Sequence, residues 1–279
     1  MSEAGRSDDE GWAARAFARL AVWLRYSRLS LLFAVGLILL WQALVVGFDV
    51  PRYILPAPSE IYTQFWRNLP RIAYYTLVTA GESFVGFFVA VAIGVPLAVV
   101  VAFSSALRKT FYPLAVTLEM VPKIAFAPMF VTWMGFGYAP KVIIVFMVCF
   151  FPVLLNGILA FTSLSEDLGR FCRSTGAGPL TTFFRVRLPA ALPQLFVGIK
   201  SAAVNATVGA CVSEWVGGDA GLGYYIQIAS GDMRMDIGFA VIFVLAAVGL
   251  FLFGLVVLAE RWLIPWHVSQ RVSAHIHGG

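Results

Sequence analysis

Apolar residues fall along this chain in long blocks rather than in the strict alternation of half-buried strands. A helix needs about 20 apolar residues to cross the hydrocarbon core of a bilayer. Six blocks approach that length: about 31–48, 84–103, 112–136, 140–161, 190–212 and 237–263. The third contains Glu119, Pro122, Lys123 and Pro128, and the fifth contains Lys200 and Asn205. Two shorter stretches have helical periodicity with one polar face. Trp12 to Arg28 alternates Ala13, Phe17, Leu20 and Leu24 with Arg15 and Arg19, and Ser59 to Leu69 places Ile61, Phe65 and Leu69 four residues apart before Pro70 ends it. Both suit helices lying on a membrane surface. The pattern predicts an all-α polytopic membrane protein: a tail over 1–30, a membrane domain over 31–263 and a second tail over 264–279.

Composition agrees with the pattern. Charged residues make up 13% and hydrophobic ones 60%, whereas soluble domains carry about 25% and about 45–50%. That excludes an ordinary soluble enzyme and a disordered chain. Cys149, Cys172 and Cys211 are odd in number and lack CxxC spacing, which argues against a disulfide framework. The three histidines, His267, His275 and His277, all lie in the last segment and are too few for a metal site. The Asn205-Ala206-Thr207 sequon falls within an apolar block, beyond the reach of glycosylation. Asp8-Asp9-Glu10 near the start, with no small-x-small site after the first block, predict an uncleaved first span.

The net charge of +5 becomes informative when laid along the spans. With six crossings both termini share a side, and thirteen Lys and Arg fall on it. Only Arg52, Arg67, Arg71 and Arg234 fall on the other. The positive-inside rule then places both termini in the cytoplasm, and the basic excess needs no nucleic-acid partner. No GxxxxGK[ST] occurs, and Gly198-Ile199-Lys200-Ser201 lacks the Gly-Lys pair. HExxH, GxSxG and paired carboxylates at helical spacing are also absent, so the chain is expected to be neither an enzyme nor a binder of its own cofactor or metal.

The most informative segment is Glu166 to Pro193 between the fourth and fifth spans. It sets Phe171, Phe183, Phe184 and Val186 among Arg170, Arg173, Arg185 and Arg187, and Gly176-Ala177-Gly178-Pro179 divides it into two short helices. A basic, apolar helix-turn-helix on the cytoplasmic side is an expected docking surface. With nine residues between, Gly176 is followed by Val186, Arg187, Leu188 and Pro189.

In these residues the chain resembles the permease subunits of binding-protein-dependent ABC importers, whose loop has the pattern EAA-x3-G-x9-I-x-L-P. The EAA triplet is replaced by Arg170-Phe171-Cys172. The resemblance runs from about Leu55 to His267. It includes Leu55-Pro56-Ala57-Pro58-Ser59-Glu60, Trp133-Met134-Gly135-Phe136-Gly137, Phe150-Phe151-Pro152 with Asn156, and Gly221-Leu222-Gly223-Tyr224 after Glu214-Trp215. These look like the branch of sulfonate, taurine, nitrate and pyrimidine-precursor permeases. Within it, Val121-Pro122-Lys123-Ile124-Ala125-Phe126-Ala127-Pro128 and Pro265-Trp266-His267 look most like permeases for thiamine pyrimidine precursors or riboflavin.

The resemblance implies the type I importer permease fold in a bacterial inner membrane. It also implies a second permease subunit, here as a homodimer, two ATPase subunits that bind ATP and magnesium, and a periplasmic or extracellular substrate-binding protein. The loop 164–189, with Arg170, Phe171, Cys172, Gly176, Ala177, Val186, Leu188 and Pro189, would couple the permease to the ATPase.

Charges within spans cost about 2.5–3.5 kcal/mol at a helix centre, so each needs a reason. Glu119 and Lys123, four apart, could form a pathway element or a plain ion pair. Gly198, Ala202, Asn205 and Gly209, with Lys200, Thr207 and Ser213, give the fifth span the composition of a path lining or of a tight helix seam. Glu82, Asn156 and Glu214 read as snorkelling or capping groups near span ends, and Phe130, Trp133 and Phe136 as packing residues. The alternative to an ABC permease is an ion-coupled secondary transporter or channel. It predicts inverted repeats, and the sequence has no convincing internal repeat.

Overall fold

The computed structural model describes residues 29–163, 172, 174, 176 and 178–266. Arg170, Phe171, Ala177 and the Trp12–Arg28 stretch lie outside the described residues.

The order of elements follows from where the chain can stay apolar. Helix α1, Leu29–Gly47, has only 6% of its apolar window buried within the chain, so the other described helices leave nearly all of its surface uncovered. The short α2, Pro58–Arg67, buries Ile61. It is tied back to α1 by the Ser59 N–H, which donates to Gln42 Oε1 (3.1 Å). Pro70 does not end this helix. It sits in the first turn of the next one, α3, Leu69–Phe103, where a missing N–H costs nothing.

Helix α3 is 35 residues long and begins fifteen residues before the span the sequence predicts. Ser104 then breaks the chain and caps α4, Ser105–Met120, its Oγ accepting from the Leu107 N–H (3.3 Å). Pro122 follows, and the chain resumes through a 3-10 turn, Lys123–Phe126, into α5, Ala127–Met134. The third predicted span is therefore a pair of helices bent by 75°. The cause is local: proline lacks the N–H that would have continued the ladder and fixes Val121 in an extended conformation.

Helix α6, Tyr138–Thr162, is next. Helix α7, Pro179–Gly217, includes a π-helical stretch over Phe183–Arg187. The short α8, Leu222–Gly231, and the long α9, Met235–Leu263, complete the bundle. Five helices are long and apolar enough to cross a membrane, and the count rises to six if the bent α4–α5 pair is one span. No strand occurs among the described residues.

Helices α3, α6 and α7 form the core. Phe87 and Ala90 meet Val145, Cys149 and Val153, which meet Ile199, Ala202 and Ala206. Glycines allow this approach. A Cβ on Gly86 would sit 2.5 Å from a methyl of Val145, and one on Gly198 would sit 2.5 Å from Asn156 Cβ. The stripe of small residues in the fifth span thus serves a tight seam, in the manner of small-residue packing in membranes.

Candidate functional site

One end of the bundle is built around the segment that resembles the docking loop. Gly176 adopts φ +73°, a left-handed conformation that favours glycine. The helix opened by Pro179 continues into the membrane span, so the second of the two predicted helices is longer than expected, while Cys172 and Ser174 ahead of the turn are helical. Pro189 explains the π-helical stretch: it has no N–H to give, and the preceding Leu188 N–H reaches back five residues to the Phe183 carbonyl.

Phe183 is fixed to the bundle. Its ring stacks on Phe161 of α6 at 6.1 Å and meets Phe103 of α3 edge-on at 5.5 Å. The Arg187 guanidinium lies 5.0 Å from the Phe103 ring. Leu180 and Phe184, four residues apart on one face, are 74% and 59% exposed. Val186, Leu188 and Pro189 are half-buried beneath them, and Cys172 is buried. The arrangement is an apolar knob on a rigid base, joined to three core helices.

The α4–α5 break carries the second group of predicted residues. Glu119 and Lys123 do not pair through their side chains. Lys123 Nζ donates instead to the Glu119 backbone carbonyl (2.7 Å), freed by the helix end, and lies 4.8 Å from the Phe151 ring. Around them Met120, Trp133 and Phe136 are 79%, 69% and 77% exposed. Phe130 meets Trp133 edge-on at 5.7 Å. Further along, Lys200 forms an ion pair with Glu260 of α9, its Nζ 3.0 Å from each carboxylate oxygen. Thr207, seven residues on, faces Gly249 of α9 with a buried hydroxyl that lacks a hydrogen-bond partner. Asn205 is half-buried. The five predicted path residues thus occupy two separate places.

The third place was not anticipated. Glu82 and Glu214, read from the sequence as groups at span ends, are fully buried, and Lys141 is 3% exposed. Lys141 Nζ lies 3.1 Å from Glu82 Oε1, donates to the Ala220 carbonyl at 3.1 Å and reaches Asp219 Oδ1 at 3.5 Å. Thr79 Oγ1 donates to Glu214 Oε1 (2.6 Å) and accepts from the Leu222 N–H (2.7 Å). The Gly223 N–H donates to Glu214 Oε2. A carboxylate therefore holds the N-terminus of α8, where the helix dipole favours it. Gly221, at φ +123°, packs directly on that carboxylate, and a Cβ there would overlap Glu214 Oε1 and Oε2.

Nearby, the Arg71 guanidinium lies 4.8 Å from the Tyr225 ring. Burial raises the Tyr225 hydroxyl above its ordinary pKa, against Arg71 and Arg234, so it remains a neutral donor to Asn68 Oδ1 (3.4 Å). No cluster of three or more metal-ligating side chains occurs among the described residues.

Comparison with known proteins accounts for the architecture. Residues 90–265 match the family model described as binding-protein-dependent transport system inner membrane component. The riboflavin transport system permease of Chloroflexus aurantiacus is 33% identical over 84% of this chain and 88% of its own length. The formylaminopyrimidine transport permease of Halalkalibacterium halodurans is 28% identical, over 86% and 96%. A probable ABC transporter permease of Haemophilus influenzae is 30% identical, over 78% and 89%. Inward-facing structures of the methionine ABC transporter MetNI share the fold, with TM-score 0.55 and 18% identity over 71% of this chain and 96% of that one. The chain belongs to the family of inner-membrane permease components of binding-protein-dependent ABC importers.

Proposed function

We propose that this permease forms, with a second copy of itself, the path for a small nitrogen heterocycle of the riboflavin or thiamine-pyrimidine class. In this reading a binding protein delivers the solute and two ATPase subunits, which hold ATP and magnesium, drive its passage. Both termini lie on the ATPase side, as the distribution of basic residues indicates. The observation that carries ATP-driven import is the knob of Leu180 and Phe184 on a base fixed by Phe183. Such a surface accepts a groove on a partner and transmits its movement as a rigid-body shift of α3, α6 and α7.

Cys172, Gly176, Val186, Leu188 and Pro189 belong to the described part of this coupling site, and Arg170, Phe171 and Ala177 complete it. Of the path candidates, Glu119, Lys123 and Asn205 are assigned to the conduit. Lys200 and Thr207 serve the seam between α7 and α9.

The heterocycle reading is supported by the names of two relatives that match at 33% and 28% identity, while a sulfonate permease matches over a similar share of the chain at 28% and a taurine permease over a smaller share at 29%. The test is a thermal-shift screen of the cognate binding protein against riboflavin, formylaminopyrimidine, hydroxymethylpyrimidine, taurine and nitrate. Stabilisation by a flavin or pyrimidine is expected. Stabilisation by taurine or nitrate alone overturns the substrate class while leaving the importer intact.

A further inference from the structure

We propose that docking of the binding protein is read at the α7–α8 turn and relayed into the bundle by Lys141, through a cationic side chain of the binding protein that pairs with Asp219. The inference rests on the importer reading above and adds to it a place and a polarity.

Three observations converge on this turn. First, Lys141 is the one cation of the buried network, and it divides itself among Glu82 on α3, the Ala220 carbonyl and Asp219. Second, these contacts are unequal. Glu82 is fully buried and 3.1 Å away, whereas Asp219 has a side chain 75% exposed and lies at 3.5 Å. Asp219 is thus the partner that can be drawn away from outside, and water or an approaching cation competes for it. A second exposed acid, Asp232, stands at the other end of α8, but Arg71 and Arg234 flank the same helix, so the polarity of the contact rests on Asp219 itself.

Third, the turn is connected mechanically to the opposite end of the molecule. Glu214, which clasps the Gly221–Gly223 backbone with Thr79, is on α7, and α7 begins at the docking knob. Drawing Asp219 outward leaves Lys141 to Glu82 and the Ala220 carbonyl, which tightens α6 on α3 and loosens the turn above Glu214. A partner that favours one of these two arrangements biases the position of α7, and so the affinity or activity at its far end. Lys141 is a positioning residue here, acting through the helices it joins.

The experiment uses the full importer in lipid nanodiscs, with its ATPase and its binding protein loaded with whichever solute the screen above identifies. Hydrolysis is measured with and without binding protein, up to saturation. In Asp219→Asn the stimulation should fall by about fivefold or more and stay low at saturating binding protein. Lys141→Met should behave likewise, and Lys141→Arg should restore most of the response because it keeps the charge. Where Lys141→Met does not assemble, the exposed Asp219→Asn decides alone. Full stimulation of Asp219→Asn overturns the proposal. Recovery at excess binding protein also overturns it, since Asp219 would then contribute only affinity. A wild-type complex that the binding protein does not stimulate overturns the importer reading itself, and this inference with it.

Discussion

The most consequential residues of this permease are those whose surroundings cannot be inferred from their neighbours in sequence. Gly221 is an example. Its φ of +123° is unfavourable for any side chain, and a Cβ would displace a buried carboxylate that two donors hold. Gly221→Ala should therefore destabilise the protein by about 2–4 kcal/mol, combining backbone strain with a disrupted buried hydrogen-bond network. Gly231, at the end of the same helix, has open space where a Cβ would go, and Gly231→Ala should be close to neutral. Thermal unfolding of the two purified variants checks this, and equal midpoints would remove the structural role given to the clasp. Glu82 and Glu214 show why the network was not legible in the sequence. A hydropathy window closes at a charge, so the predicted spans stopped just short of both residues. The helices continue because Lys141 and the α8 backbone provide partners from distant parts of the chain.

At the scale of elements, five of the spans and their order were legible because lipid demands long apolar helices. Their lengths and breaks were less so. Pro122 in the third span marks where the α4–α5 bend falls, and the Glu119–Lys123 spacing left a pathway element and a plain ion pair both open. Once the ladder ends, the Glu119 carbonyl is the nearer acceptor and Lys123 takes it. The small residues of α7 left open whether they served a path or a seam, and packing decides for the seam at Gly198. A side chain there would strike Asn156 and the Pro152 carbonyl of α6. Gly198→Val should cost at least about 1–3 kcal/mol by overpacking and appear as loss of the monodisperse peak in size-exclusion chromatography. Gly254→Val, at a position of α9 with nothing within 4 Å, should elute as the unaltered protein does. Indistinguishable elution of the two variants would show that α6 and α7 can separate without penalty, against the packing described.

For the whole molecule, the coupling proposed above depends on the separation of its two ends. Helix α7, 39 residues long, spans on the order of 55 Å at 1.5 Å per residue, with the docking knob at its start and the Glu214 clasp near its end. Energy supplied at the knob can reach the clasp without intermediate contacts, provided the knob is fixed to the helix. Phe183, Phe103 and Arg187 provide that fixation. Gly176 lies in the exposed turn just before the helix, in the left-handed region and with no atom near its missing Cβ. Gly176→Asp should thus cost only about 1 kcal/mol of backbone strain, too little to prevent insertion of the apolar helices. It places an acid in the docking turn, however, and should abolish uptake of the transported solute. Membrane fractionation and radiolabelled uptake in the same cells separate the two effects. Normal uptake by this variant would show that force enters the bundle elsewhere, and the rigid connection through Phe183 would then need another purpose.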